Sequence, residues 1–100
     1  MQTPQAKIVQ ESNKWLVSGA ILVDNANTIL LESETLNFNQ QSHQVDFSSV
    51  TEVDTAAISL MMEWQRRALK ANSKVTFANL PANLSSLAEL YGVADFIPLS

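Results

Sequence analysis

The sequence predicts an α/β fold: a small mixed β-sheet flanked by helices, in the order β-β-α-β-α-β-α. Two observations predict it. Short apolar runs rich in β-forming residues alternate with segments in which apolar residues recur every three or four positions. The length of 100 residues suits a single domain, residues 1–100, with one core. Hydrophobic residues make up 46% of the chain and charged ones 16%, which argues against a disordered protein.

Each element has a local signal in the sequence. Ser12-Asn13 separates two apolar runs and predicts a hairpin turn, after which Gly19 ends or kinks the second strand. Asp24 precedes the first helical pattern and is the predicted N-cap, because its carboxylate can accept an unpaired backbone N–H. Gly92 stops the last helix, and the apolar tail after it is expected to pack back on the domain. The predicted strands are residues 6–11, 14–18, 44–47 and 74–78, and the predicted helices are residues 26–36, 55–71 and 83–91.

The helix predicted over residues 55–71 is the most regular element. One face carries apolar residues at helical spacing, and the other carries polar and charged residues, among them Glu63 three and four positions before Arg66 and Arg67. Met61 is expected to point inward, while Met62 is partly exposed and adds an adaptable contact. The predicted core face consists of Ala57, Ile58, Met61, Trp64 and Ala68. Trp15 opens a strand and fits either the core or a sheet edge.

Charge and composition exclude several classes of function. Ten acids against six bases give a formal net charge of -4, which leaves no cationic face for nucleic acid or anionic lipid. The basic cluster of Arg66, Arg67 and Lys70 is interpreted as a solvated helix end. The first ten residues lack the features of a signal peptide, and no apolar run approaches the roughly 20 residues that span a bilayer. We therefore expect a cytoplasmic protein without direct membrane insertion, which reaches a membrane only through a partner.

The sequence also lacks the motifs of catalytic and cofactor-binding sites. Only two glycines are present, so no phosphate-binding loop is predicted, and the absence of cysteine excludes thiolate chemistry. His43 is the sole histidine and is expected at the surface, neither a catalytic base nor part of a zinc site. We therefore expect no cofactor, no metal and no enzymatic activity.

Two acid–hydroxyl stretches carry the remaining chemistry. Asp46-Phe47-Ser48-Ser49 ends a predicted strand, and Asp54-Thr55 stands at the start of the long helix, where backbone N–H groups are free and the helix dipole is positive. One interpretation is structural, with Asp54 or Thr55 as the N-cap. The other is functional, because loops at the carboxyl ends of parallel strands form the binding surfaces of open α/β sheets.

The segment VDFSSVTEVDTAAISLMMEWQRRALKANSKVTFANL resembles the central part of a STAS domain, the fold of sulfate transporters and anti-sigma-factor antagonists. The pattern is a strand, Asp-hydrophobic-Ser, a spacer, hydrophobic-Asp-Ser/Thr with two small residues, a long helix and a Lys-Val strand. The resemblance implies that Thr55 occupies the position of the family's regulatory hydroxyl, which a kinase phosphorylates in the antagonists. The chain departs from the pattern at Ala57, where Gly is common, and in the segment after the second strand.

Among STAS proteins, the sequence is most similar to the cytoplasmic STAS subunits of phospholipid-trafficking ABC transporters of Gram-negative bacteria. This resemblance implies a non-catalytic subunit that binds the ABC-transporter ATPase and supports a complex maintaining outer-membrane lipid asymmetry. The alternative is an anti-sigma-factor antagonist that is switched by an anti-sigma-factor kinase through phosphorylation of Thr55. The expected partner-binding residues are Thr55, Asp54, Ala56, Ser48, Asp24 and Met62.

Overall fold

The computed structural model describes residues 6–36, 38 and 42–99. It has the predicted element order and confirms the α/β class, with a short 3₁₀ turn added near the end. The elements are β1 (Lys7–Glu11), β2 (Lys14–Ile21), α1 (Ala26–Ser33), β3 (Ser42–Val53), α2 (Thr55–Lys70), β4 (Lys74–Ala78), α3 (Ala82–Leu90) and the 3₁₀ turn Ala94–Phe96.

The four strands form one sheet in the order β1-β2-β3-β4. β1 and β2 pair antiparallel, whereas β2–β3 and β3–β4 are parallel. The predicted hairpin is confirmed, with Ser12 at a φ of 57° in its two-residue turn. Parallel neighbours require crossover connections, which α1 and α2 provide. As a result, the start of α2 and the segment before α1 lie next to each other at the carboxyl ends of β2 and β3.

The core lies between the sheet and α2. The predicted apolar face of α2 is buried as expected, and Met62 is half-buried beside the fully buried Met61. Trp15 belongs to the core, where its ring packs against Trp64 at a centroid distance of 6.0 Å. The tail packs back as predicted, because Ile97 is buried and Leu99 bridges to Phe77 of β4.

Three element boundaries differ from the prediction by three residues or more. β2 continues past Gly19, which kinks the strand at a φ of 83° next to a shift in the β2–β3 register. β3 runs to Val53 instead of ending near Phe47, because it stays paired with β2 as far as Val53, across two register shifts. α1 ends at Ser33, and residues 34–36 form turns. Most of the predicted polar loop, residues 37 and 39–41, lies outside the described residues.

Two sequence-based assignments were wrong. Asp24 is exposed and is not the N-cap of α1, because Asn25 is the residue that directly precedes Ala26, the first residue of the helix. His43 is not at the surface but only 1% exposed. β3 begins at Ser42, so the alternation of the strand turns the His43 ring inward, with Nδ1 3.1 Å from the Ser73 hydroxyl. Burial lowers the pKa of His43.

Candidate partner-binding site

Asp54 fixes the start of α2. It is the N-cap, and its Oδ1 accepts a hydrogen bond from the Ala56 backbone N–H at 2.8 Å. Its Oδ2 accepts from the Val23 N–H at 2.9 Å, 31 residues earlier in the chain. Its own N–H donates to the Ile21 carbonyl at 3.2 Å. The acid therefore caps the helix and also holds the segment before α1 against it, which confirms the structural interpretation of Asp54.

Thr55 is the first residue of α2 and is exposed. Among the described residues, no hydrogen bond engages its hydroxyl. It stands at the positive end of a helix of 16 residues, beside backbone N–H groups that have no partner within the helix. The Asp54 side chain, in contrast, is turned toward the Ala56 and Val23 N–H groups. The hydroxyl of Thr55 is thus displayed outward on a rigidly held helix end.

A groove of about 470 Å³ opens beside Thr55, between α1 and α2. Its α2 wall is low because Ala56 and Ser59 are small, and Val23, which is 73% exposed, stands at its edge. The lining residues are Val23, Ala26, Asn27, Leu30, Thr55, Ala56, Ser59, Leu60 and Glu63. Five of these nine residues are apolar, and the other four include the hydroxyls of Thr55 and Ser59. This mixture of apolar and hydroxyl side chains suits contact with a protein surface.

Polar contacts fix both ends of α1 and join it to α2, the other wall of this groove. The Ser33 hydroxyl, at the end of α1, accepts hydrogen bonds from Trp64 Nε1 and Arg67 Nη1 of α2, both at 3.0 Å. Glu34 adds an ion pair with Arg67 at 3.7 Å. At the other end of α1, Asn25 accepts from the Leu22 N–H and donates to the Ala20 carbonyl. Because both ends of α1 are fixed, the groove is a preformed feature of the fold.

Asp46, the other acid singled out in the sequence, has a different role. It is 7% exposed, and its Oδ1 accepts from Asn79 Nδ2 at 3.0 Å and from the Ser48 N–H at 2.8 Å. Lys14 lies 3.3 Å from its Oδ2. Burial alone would raise the pKa of Asp46, but the hydrogen bonds from Asn79 and Ser48 outweigh it and lower the pKa to about 2. Asp46 thus ties β3 to β2 and to the end of β4.

The expected site residues fall into two groups. Thr55 and Ala56 line the groove, Asp54 supports it from below, and the exposed Asp24 follows Val23 at its edge. Ser48 is exposed in the middle of β3, five residues before the strand ends at Val53, which is roughly 16 Å along the sheet at the usual rise per residue. Met62 lines a separate groove on the other side of α2. The geometry therefore gathers four of the six residues and leaves Ser48 and Met62 apart.

Several residues of this surface were not predicted from the sequence. Val23, Asn27, Leu30 and Ser59 also line the groove. Ser59 lies four residues after Thr55, one helical turn further along the same face, so the spacing alone could have indicated it. Val23 carried no such signal, because its place beside Thr55 depends on the hydrogen bond to Asp54.

The fold is that of the STAS class of small α/β domains. Over 96% of this chain and 88% of the other, it superposes on a structure described as that of the anti-sigma factor antagonist SpoIIAA in its unphosphorylated form, with a TM-score of 0.72 and 10% identity. A sulfate transporter family protein from Wolinella succinogenes matches over 89% of this chain and 75% of its own, with a TM-score of 0.65 and 12% identity. At these identities, the likeness concerns the fold alone.

The sequence itself identifies the family. The family model described as "Mlab, STAS domain" matches residues 9–99, which is nearly the whole chain. The protein therefore belongs to this STAS family, as its resemblance predicted. No relative is found among curated proteins. Among the described residues, none of the helices is long and apolar enough to cross a membrane.

Proposed function

We propose that this protein is a non-catalytic STAS subunit that binds the ATPase of a phospholipid-transport ABC complex and supports its activity in maintaining outer-membrane lipid asymmetry. The observation that carries the proposal is the exposed hydroxyl of Thr55 at the edge of the α1–α2 groove, on a helix end fixed by Asp54. Membership of the family described as "Mlab, STAS domain" supports a transport role over other STAS functions.

The character of the groove supports binding without catalysis. Among the described residues that line it, Glu63 alone is titratable, and its carboxylate is paired with Arg66 and Arg67 at 2.6 Å and 3.2 Å. The hydrogen bond from Arg66 is the main cause that lowers the pKa of Glu63 to about 2, so this carboxylate is a poor proton acceptor near neutral pH. Small residues beside an exposed hydroxyl permit close approach of a partner backbone or side chain. In this proposal the subunit is cytoplasmic and reaches the inner membrane through its partners.

The first test is a charge substitution at Thr55. We expect Thr55→Glu to abolish co-purification with the ATPase subunit of a phospholipid-transport ABC complex from the same genome. A carboxylate at this position adds bulk and a second negative charge beside Asp54 within a close interface. The matched control is Ser85→Glu, which places the same charge on an exposed hydroxyl position in the first turn of α3.

The control variant should bind the ATPase as the wild type does, and both variants should keep the wild-type circular dichroism spectrum. Undiminished co-purification of the folded Thr55→Glu protein would remove the groove from the interface and contradict the proposal.

A second candidate function is that of an anti-sigma-factor antagonist switched by phosphorylation of Thr55. The observation in its favour is the fold likeness to such an antagonist, together with the free hydroxyl of Thr55 at a helix N-terminus, which favours a phosphate electrostatically. Incubation with ATP and an anti-sigma-factor kinase, followed by intact-mass analysis, separates the two functions. A gain of one phosphoryl group that Thr55→Ala abolishes would favour the switch, whereas an unchanged mass would favour the transport subunit.

A further inference from the structure

A second groove, of about 610 Å³, lies on the other side of α2 from Thr55. It runs between the C-terminal half of α2 and β4, the outer strand of the sheet, and the 3₁₀ turn closes one end. Its apolar lining includes Met62, Leu69, Val75 and Phe96. The two grooves share no lining residue, so a ligand could occupy one without contacting the other.

Large apolar side chains stand exposed at this groove. Leu69 is 77% exposed and Phe96 is 67% exposed, although they belong to different elements. Their convergence on one groove distinguishes them from the scattered apolar residues that any protein surface contains. Met62 is half-buried between them and the core, and its unbranched side chain can adapt to an incoming group. The groove therefore combines exposed apolar side chains with an adaptable methionine, as protein-binding surfaces do.

The charge of the lining indicates what the groove would accept. The chain has a net charge of -4, yet no carboxylate is among the lining residues, whereas Arg66 and Lys74 are. Arg66 is paired with Glu63 through two hydrogen bonds, which reduces its attraction for a ligand. Lys74 is exposed and forms no ion pair among the described residues. The rim thus carries a local positive charge on an otherwise acidic protein, which favours an acidic ligand.

We propose that this groove is a docking site for a segment of a partner protein in which an apolar side chain stands next to a carboxylate. The apolar side chain enters between Leu69, Val75 and Phe96, and the carboxylate meets Lys74. The site is separate from the Thr55 groove, and the subunit would therefore join two partners, one on each side of α2. This inference goes beyond the proposed function and does not depend on the identity of the partner at Thr55.

The probes are two panels of short synthetic peptides, one combining Leu, Ile or Phe with Glu or Asp, and one with Lys in place of the acids. Each peptide is titrated into the full chain and followed through the backbone amide NMR signals. We expect saturable shifts around Leu69, Val75 and Phe96 with the acidic panel only. Lys74→Glu should weaken this binding by about five- to tenfold, because it reverses a rim charge.

Leu69→Gln should reduce the affinity by a similar factor, because it removes an apolar wall of the groove. The matched control is Leu90→Gln: Leu90 is 76% exposed but does not line the groove, so its variant should bind the peptides unchanged. Sedimentation analysis of the wild type and of Leu69→Gln measures self-association. Co-purification of both proteins with the ATPase measures whether the substitution affects that interaction.

Several results would overturn the proposal. The first is the absence of shifts at the groove with every acidic peptide, and the second is equal binding of the lysine panel. Shifts at the groove that arise only with phosphatidylglycerol vesicles would mean an anionic lipid. Self-association that Leu69→Gln abolishes would mean a second copy of the chain. Loss of the ATPase from Leu69→Gln would place the groove in the same interface as Thr55, whereas failure of Thr55→Glu alone would affect only the proposed function.

Discussion

Two stretches of this protein combine an acid with a following hydroxyl residue, and they differ in almost every physical respect. Asp46, in the middle of β3, is buried and bound by Asn79, the Ser48 N–H and Lys14. The Asp54 carboxylate, at the start of α2, accepts from the Ala56 and Val23 backbone N–H groups, and the Thr55 hydroxyl that follows it has no hydrogen-bond partner among the described residues and lies at the edge of a groove. The first stretch therefore stabilises the sheet, whereas the second both caps a helix and presents a contact surface.

The difference teaches that residue types do not define a site without their surroundings. Both acids accept hydrogen bonds within the chain, so neither is presented to a ligand as an isolated charge. What distinguishes the second stretch is the position of Thr55 at a helix N-terminus between small neighbours, with open space beside it. The following predictions test this distinction, in order of decreasing effect on stability.

The largest loss is expected from Asp46→Ala. Removing this carboxylate breaks two hydrogen bonds to a charged group and one ion pair, which should cost about 2–3 kcal/mol of unfolding free energy. Urea unfolding followed by tryptophan fluorescence measures it, with the exposed Asp24→Ala as the control, which is expected to stay within about 0.5 kcal/mol of wild type. Equal unfolding midpoints for the two variants would show that Asp46 does not hold the strands together.

Asp46 should also make the fold sensitive to acid. Its pKa is about 2 in the folded protein against 3.8 as the ordinary value, so the folded state favours the ionised form. The resulting stability is present above about pH 4 and is lost as the pH falls toward 2, a loss of about 2 kcal/mol.

As the pH falls through this range, the free energy of unfolding should therefore decrease more steeply for the wild type than for Asp46→Asn, whose side chain cannot ionise. Glu63, whose pKa is lowered to about 2 chiefly by the Arg66 hydrogen bond, contributes in the same range in both proteins and so cancels in the comparison. Parallel curves for the two proteins would contradict the assignment.

A smaller loss is expected from Asp54→Ala. Loss of the N-cap should cost about 1–2 kcal/mol, because the Ala56 and Val23 N–H groups lose their acceptor. Amide hydrogen exchange at Ala56 and Val23 should accelerate by more than the loss of global stability explains. Exchange at the amides of β3 should accelerate only by the amount that this loss explains. Asp54→Asn keeps one acceptor oxygen and should fall between Ala and wild type. If exchange at Val23 were unchanged in the Ala variant, the link between α2 and the segment before α1 would be disproved.

The smallest effect on stability is expected at Thr55. Thr55→Ala removes an exposed hydroxyl without a hydrogen-bond partner among the described residues, so the unfolding free energy should change by less than about 0.5 kcal/mol. Binding of the ATPase to the same variant is measured by titration calorimetry, where we expect a weaker complex. A loss of stability above this limit, with unchanged binding, would reverse the roles assigned to the two stretches.

Much of the fold could be predicted from the sequence, because its signals are local. The three-to-four spacing of apolar residues fixed the inward face of α2, and the acid before Thr55 indicated the cap. The errors occurred where distant segments decide. His43 is buried because β3 begins at Ser42, which places the His43 ring against Trp15 of β2. β3 continues past Phe47 because it stays paired with β2. Neither long-range contact can be predicted from the residues next to it in the sequence.

The sequence by itself determined the element order, the family and the place of Thr55 at the start of the long helix, since each depends on spacing along the chain. Only the tertiary structure decided which acid–hydroxyl stretch borders open space. That outcome depends on the hydrogen bond between Asp54 and Val23 and on the burial of Asp46, contacts that span about 30 residues and form only when the parallel strands align. Separate grooves on the two sides of α2 follow from the same packing, because the sheet and α1 cover different faces of one helix.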